Sequence, residues 1–429
     1  MMTAQSLPAT RTRPLATQRL LAVWLAFAAT LIAAPHVFTS SLALSHLTQM
    51  GTAIVLGLSY NILLGQTGML SFGHAAYSGM GAFVSVHAMN AAAAGAVWLP
   101  LPLIPVVGAL TGLGCAALIG YVITRTSGVT FAMITLGIGQ MVYASSLMFP
   151  AFFGGEGGVS TDRVYGDASF GWNFGPQLQV YYLVAAWMFL CVAGAYYLTR
   201  TPLGRLFNGV RDNPERVAFV GFNPHLLRYL SLMFAGLFAG VGGSLMAINF
   251  EIATAEVLGL HESSMVLLFT FIGGTKSFIG PIVGAIIGIL LTKALPDYTA
   301  GWQMYLGLIF ILVVVYAPGG ISSLFRPTLD VVRKAVVLHE YLALSRLVAS
   351  LLALLSGTVL LVELMYHRAS GSASPLELMG LSFGQGIAVW VAATVILLFG
   401  MLAVKPSGRA LIDRLAGHDV RAGGGTPDA

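Results

Sequence analysis

Charge is scarce in this chain: Asp, Glu, Lys and Arg make up only 9% of its 429 residues, 21 basic against 16 acidic. A water-soluble body of this size usually carries about 25% charged residues, so a soluble globular fold with a polar exterior is excluded. Cysteine is scarcer still. Cys115 and Cys191 both fall inside apolar segments, with no neighbouring His or Cys, so neither a disulfide framework nor a metal site is expected and both read as small packing residues. Nucleotide- and hydrolase-type signatures are missing as well. Lys276-Ser277 is preceded by Thr275, with Thr270 where the first Gly of a phosphate-binding loop should stand. No H-E-x-x-H or G-x-S-x-G occurs either. No catalytic residue, metal ligand or cofactor is expected in this polypeptide, which does not read as an enzyme.

What is abundant is apolar. Hydrophobic residues form 57% of the chain, the mean hydropathy is +0.84, and glycine is plentiful at 51 residues. Segments near spanning length fall at 20–38, 42–64, 69–89, 100–123, 129–150, 179–199, 229–249, 302–317, 346–366 and 384–404. Residues 263–294 form a further apolar run broken by Gly273-Gly274-Thr275-Lys276, read as two shorter helices meeting at a turn. The expected fold is an all-α polytopic membrane protein with about 10–12 transmembrane helices. Leu20–Phe38 is long enough to span and lacks a clean small-x-small cleavage site, so it reads as a retained first helix rather than a signal peptide. Gly108/Gly112, Gly236/Gly240 and Gly280/Gly284/Gly288 share the GxxxG spacing, which suits close helix packing, around a translocation path or simply within the bundle.

The placement of the few charges orients the chain. With the N-terminus in the cytoplasm, Arg11, Arg13, Arg19, Arg125, Lys276, Arg326, Arg333, Lys334, Arg346, Lys405, Arg409, Arg414 and Arg421 lie inside, and Arg163, Lys293 and Arg368 outside. Five more inside charges sit in the stretch Arg200–Arg228: Arg200, Arg205, Arg211, Arg216 and Arg228. There Leu203, Leu206, Val210, Val217, Val220 and Phe222 interrupt the charges at roughly helical intervals, which predicts short amphipathic helices. A folded basic loop on the cytoplasmic side reads as a docking surface, with Arg205, Arg211 and Arg216 expected to face an acidic groove on a partner.

Polar residues within the spans are few: chiefly Asn61, Gln66, Ser71, His74, Thr135, Gln140 and Glu363. Such groups often line a pathway, yet each can equally be satisfied by a neighbouring helix. Glu363 is expected near an outer edge, within reach of water. No carboxylate pair in the core spans offers a proton relay, which weighs against an ion-coupled carrier.

Five ordered motifs carry a resemblance. Gly65-Gln-Thr-Gly68-Met-Leu-Ser71-Phe-Gly73-His74-Ala-Ala-Tyr77-Ser-Gly79-Met-Gly81-Ala82 resembles the membrane subunits of branched-chain amino-acid ABC importers. Gly128 to Leu136, Gly154-Gly155-Glu156-Gly157-Gly158, Gly204-Arg205 through Arg211-Asp-Asn-Pro-Glu-Arg216 to Gly221, and Gly273-Gly274 with Gly280-Pro281 and Gly284 are similar to its later motifs. The resemblance implies an ABC importer permease-like bundle over residues 1–327 in a bacterial inner membrane. Its partners would be a second homologous permease, two ABC ATPase subunits, a periplasmic or extracellular solute-binding protein and the lipid bilayer; no nucleic acid is implied. It marks Gly204, Arg205, Val210, Arg211, Asp212, Glu215, Arg216 and Gly221 for ATPase coupling. Asn61, Gln66, Ser71, Gly73, His74, Thr135, Gln140, Gly273, Gly274, Gly280, Pro281 and Gly284 belong to the translocation path or its packing. The expected cargo is a branched-chain or other small amino acid, with urea or short amides as the alternative and an ion-coupled secondary transporter behind both. Gln140 and Tyr143 depart from the family, standing where many relatives carry an acid and an arginine. Residues 328–429 lie beyond the resemblance, as a basic linker, two more spans and a Gly-rich tail.

Overall fold

A computed structural model describes residues 14–165, 172–299, 301–317, 319–324, 341–369, 376–378, 381–383 and 387–423. The linker at 328–340, with Arg333 and Lys334, lies outside the described residues, as do Arg11, Arg13, Arg326 and tail residues 424–429. Every apolar segment read from the sequence is helical: α1 (Pro14–Val37), α2 (Ser41–Thr67), α3 (His74–Ala93), α4 (Ile104–Ile123), α5 (Gly128–Met148), α7 (Gln177–Arg200), α10 (Pro224–Phe250), α11 (Leu260–Gly273), α12 (Gly280–Ile289), α13 (Trp302–Tyr316), α14 (Tyr341–Ala369) and α15 (Ile387–Gly423). Between them lie the single turn α6 (Pro150–Phe153) and the loop helices α8 (Pro202–Asp212) and α9 (Pro214–Phe219). Among the described residues nine helices are long and apolar enough to cross a membrane, while Leu260–Gly273 and Trp302–Tyr316 are apolar but shorter. α3 meets neither description. It is rich in Ala, Gly and Ser and largely buried by protein, so it needs no greasy face for lipid.

The chain divides into two compact units, Met1–Ser263 and Ser264–Ala429. In the first, α10 is the central helix, packed on α2, α3 and α4, with α2 also against α7. Two of the GxxxG pairs meet at one crossing. A Cβ on Gly112 would overlap Gly236 O, and one on Gly240 would overlap Gly108 O. Gly81 of α3 also faces Gly240, and Ser85 and Ser244 share a hydrogen bond of 2.7 Å there. Backbones thus touch where side chains are absent, the route to dispersion contact in a solvent as apolar as the side chains themselves. Around this crossing Tyr60, Leu63, Phe83, Leu232 and Leu245 are fully buried.

At one end of this unit β1 (Val159–Ser160) pairs antiparallel with β2 (Ile252–Ala253). Arg163 Nε lies 3.3 Å from Glu251 Oε1, and Arg163 Nη2 donates to Gly175 O at 3.0 Å. Tyr165 donates to Leu99 O at 3.1 Å, and burial pushes its pKa up to about 12, which keeps the hydroxyl a donor. The opposite end carries α8 and α9.

In the second unit the break predicted between α11 and α12 is present. Gly273 faces Gly280 O and Gly284 faces Phe269 O, so the two short helices lie backbone to backbone. α14 and α15 form a hairpin in which Gly357 meets Leu397 and Gly400 meets Leu354, and β3 (Leu376–Leu378) pairs with β4 (Leu381–Phe383) in the connection. Glu363 corrects its expectation. It is only 7% exposed and accepts a hydrogen bond of 2.7 Å from Tyr305 of α13, because a carboxyl in an apolar span is stabilised by a donor where water cannot reach it.

Candidate functional site

The loop between α7 and α10 is folded by three repeats of one device. Thr201-Pro202, Asn213-Pro214 and Asn223-Pro224 each place a capping side chain before a proline at the first helical position. Thr201 Oγ1 accepts from Gly204 N at 3.2 Å, Asn213 Oδ1 from Arg216 N at 2.9 Å, and Asn223 Oδ1 from His225 N at 3.0 Å. These caps satisfy donors that a helix start leaves open, and proline lacks the N–H that would be wasted there. The two short helices fold onto α10 through Phe207, Val210, Val217 and Leu227, all buried, with Leu203 and Leu206 at the margin. Val220 and Phe222, expected on the same apolar face, are instead exposed at 70% and 46%, beside Phe219 at 90%. Arg205, Glu215 and Arg216 are exposed with them, and Gly221 makes the turn at φ 94°.

Arg211 and Asp212 form a pair at 3.0 Å, but the Arg211 guanidinium also reaches back into the bundle, where its Nη1 donates to Gly65 O at 2.6 Å. Asn208 Nδ2 donates to Gln66 Oε1 at 2.9 Å. The end of α2 is thereby joined to α8. From there the chain runs through a non-helical stretch to α3, with Met69, Ser71 and Gly73 buried. The Tyr60 hydroxyl donates to Ser71 O at 2.6 Å and accepts from Ser71 N at 3.2 Å. Phe72 N donates to Thr135 Oγ1 at 3.2 Å, and Gly73 packs on Thr135 O and Gly139 without room for a Cβ.

His74, 1% exposed, opens α3. Ser59 Oγ lies 2.7 Å from His74 Nε2 and 2.6 Å from Ala235 O. A hydroxyl has one proton, and the carbonyl cannot donate. Ser59 therefore donates to Ala235 O and His74 Nε2 donates to Ser59, which assigns the Nε2–H tautomer. His74 Nδ1 and Ser71 Oγ, both buried, have no partner among the described residues.

Of the remaining predicted residues, Asn61 is buried within α2. Gln140 is exposed. It lines a cleft of about 600 Å³ with Tyr143, Glu256, Leu260, His261 and Glu262, and the adjoining Gly139 and Ser263 touch the start of α3 at Gly73 and Ala75. Gly273, Gly274, Gly280, Pro281 and Gly284 lie in the second unit, at the α11–α12 break. Among the described residues no group of His, Cys, Asp or Glu could hold a metal ion. Sequence reading missed Ser59, Tyr60, Asn208 and Ser263, whose Oγ accepts from Ala75 N at 2.9 Å. Asn208 was detectable: it stands one turn before Arg211, on the same side of a short helix.

Residues 42–319 match the family model described as branched-chain amino acid transport system, permease component. The chain belongs to that permease family. It is 26% identical over 297 residues to the high-affinity branched-chain amino acid transport system permease protein LivM of Escherichia coli K12, covering 64% of this chain and 69% of that one. It is also similar to the fructose import permease FrcC of Rhizobium meliloti, 28% identical over 49% of this chain and 62% of that one, and to the guanosine ABC transporter permease NupQ of Bacillus subtilis 168, 29% identical over 39% and 54%. No solved structure matches it. The permease is thus a multi-pass protein of the inner membrane and a transport subunit of an ABC system, a class that works with ATPase and binding-protein partners. The motif turn, the loop helices and the α11–α12 break all fall inside the matched stretch, while α14 and α15 fall beyond it.

Proposed function

We propose that this permease forms the translocation path for branched-chain or other small amino acids and takes up the motion of a separate ATPase through residues 200–228. The observation that carries the reading is the capped, basic, amphipathic pair α8–α9, which leaves Phe219, Val220 and Arg216 exposed while its apolar face is seated on the bundle. An exposed apolar tip on a basic loop suits a groove with acidic margins. The N-terminus then lies in the cytoplasm. This agrees with Arg125, Arg200, Arg205, Arg211, Arg216 and Arg228 at the α8–α9 end and with Glu156, Asp162, Glu251, Glu256 and Glu262 toward the other. Residues 1–327 form the working core, joined to a second permease, two ATPase subunits and an external binding protein, and 328–429 form an appended module. Transport follows from rigid-body rocking between two packings and needs no catalytic side chain.

The amino-acid reading rests on the LivM likeness, whereas FrcC and NupQ are named for a sugar and a nucleoside. Reconstitution with its ATPase and binding protein tests the assignment. Leucine, valine and isoleucine should be accumulated with ATP and compete with one another. Uptake of fructose, guanosine or urea in their place overturns the substrate; uptake by the lone chain driven by a sodium or proton gradient overturns the class.

A further inference from the structure

The join between α8 and α2 carries more than the general reading. A helix leaves its last carbonyls without donors of its own. Gly68 N takes Leu64 O at 3.0 Å and Met69 N takes Leu63 O at 3.2 Å, and Arg211 Nη1 takes Gly65 O at 2.6 Å. A cation at that point also meets the negative end of the helix dipole. On the same side of α8, Asn208 Nδ2 is shared between Gln66 Oε1 at 2.9 Å and Gly204 O at 3.0 Å. Gly68 holds φ 72°, a conformation that favours glycine, and a Cβ there would stand 3.0 Å from Arg211 Cγ, so the arginine stem packs closely over the cap of α2. On the far side of Gly68 the chain is pinned by Tyr60 at Ser71, by Thr135 at Phe72 and by Ser59 at His74.

We propose that Arg211 and Asn208 are positioning residues that lock α8 to the last turn of α2, so that a shift of α8 reaches residues 69–73 and the His74 cluster undamped. Two bonds three residues apart on α8, meeting two successive residues of α2, resist both sliding and rotation. These bonds add direction to the close-packed apolar seat, and a charge-assisted bond to a helix end is among the stronger kinds. The inference rests on the importer reading, since it needs a partner that moves α8.

The test is the number of ATP molecules hydrolysed per solute accumulated by the reconstituted complex. Gln66→Ala is the decisive variant, because Gln66 lies on α2 and offers an ATPase no part of the α8 surface. Gln66→Ala and Asn208→Ala should each raise the ratio about five-fold or more, the low end of usual coupling between sites, and the double variant should be no worse than either. Arg211→Ala should act likewise and Arg211→Lys should recover part of the loss, with the ATPase still recovered in pull-down from every variant. Unchanged ratios in Gln66→Ala and Asn208→Ala, or a double variant equal to the product of the two, overturns the lock. Loss of the ATPase from the Gln66→Ala complex overturns it too, in favour of a contact that merely maintains the fold. Absence of ATP-driven uptake by the unaltered complex is a different result and sinks the importer reading instead.

Discussion

Adding one methyl group at two glycines of α4, two residues apart, should change stability in opposite directions. Gly112 faces the α10 backbone, where a Cβ would overlap Gly236 O and stand 2.9 Å from Gly240 N. Gly114, on the same helix, has nothing within 4 Å of its absent Cβ. Alanine is favoured over glycine in a helix by about 1 kcal/mol, so Gly114→Ala should be neutral or slightly stabilising. At Gly112 that gain is outweighed, because the obstruction is rigid backbone and the helices must part; overpacking of this kind costs about 1–3 kcal/mol. Adding Gly236→Ala to Gly112→Ala should cost less than the sum, since the helices separate only once. Unfolding in increasing SDS, followed by tryptophan fluorescence, reads the unaltered chain, the three single variants and the double. Equal midpoints for Gly112→Ala and Gly114→Ala would refute the claim that this crossing depends on backbone contact.

Ser59→Ala strands the His74 Nε2–H and Ala235 O in a buried site and should lower stability by about 1–3 kcal/mol; an unchanged unfolding midpoint would show that water reaches the cluster. Gly284→Leu should destabilise far more than Gly307→Leu, which meets open space. Arg211→Glu places a like charge at the negative end of α2 and should abolish uptake while insertion persists; normal uptake would remove Arg211 from the coupling path. Deleting 335–429 should leave insertion, ATPase binding and uptake, because the family match ends at 319. It also bares the Tyr305 hydroxyl, and Tyr305→Phe should restore part of any lost stability. A truncated complex that assembles yet transports nothing would place the appended helices in the path.

Span number and the loop's helical character were legible because both depend on one segment at a time. Each apolar run of near-spanning length holds a helix among the described residues, and the amphipathic stretch after Arg200 became α8 and α9. The three cap-and-proline steps that fold it are also local. The GxxxG repeats announced close packing but not their partners, and pairing of Gly108/Gly112 with Gly236/Gly240 emerged only in the folded bundle. Asn208 and Gln66 are 142 positions apart, and their bond has no signature in either neighbourhood. Val220 and Phe222 continue the apolar period of α8–α9 yet point away from it, since Asn213-Pro214 and Gly221 redirect the chain. Glu363 reads as a carboxylate near water until Tyr305 is set beside it. Leaving water is decided by composition, one segment at a time, and the sequence sufficed for it; which atom each buried donor finds depends on two segments at once, and only their packing decided that.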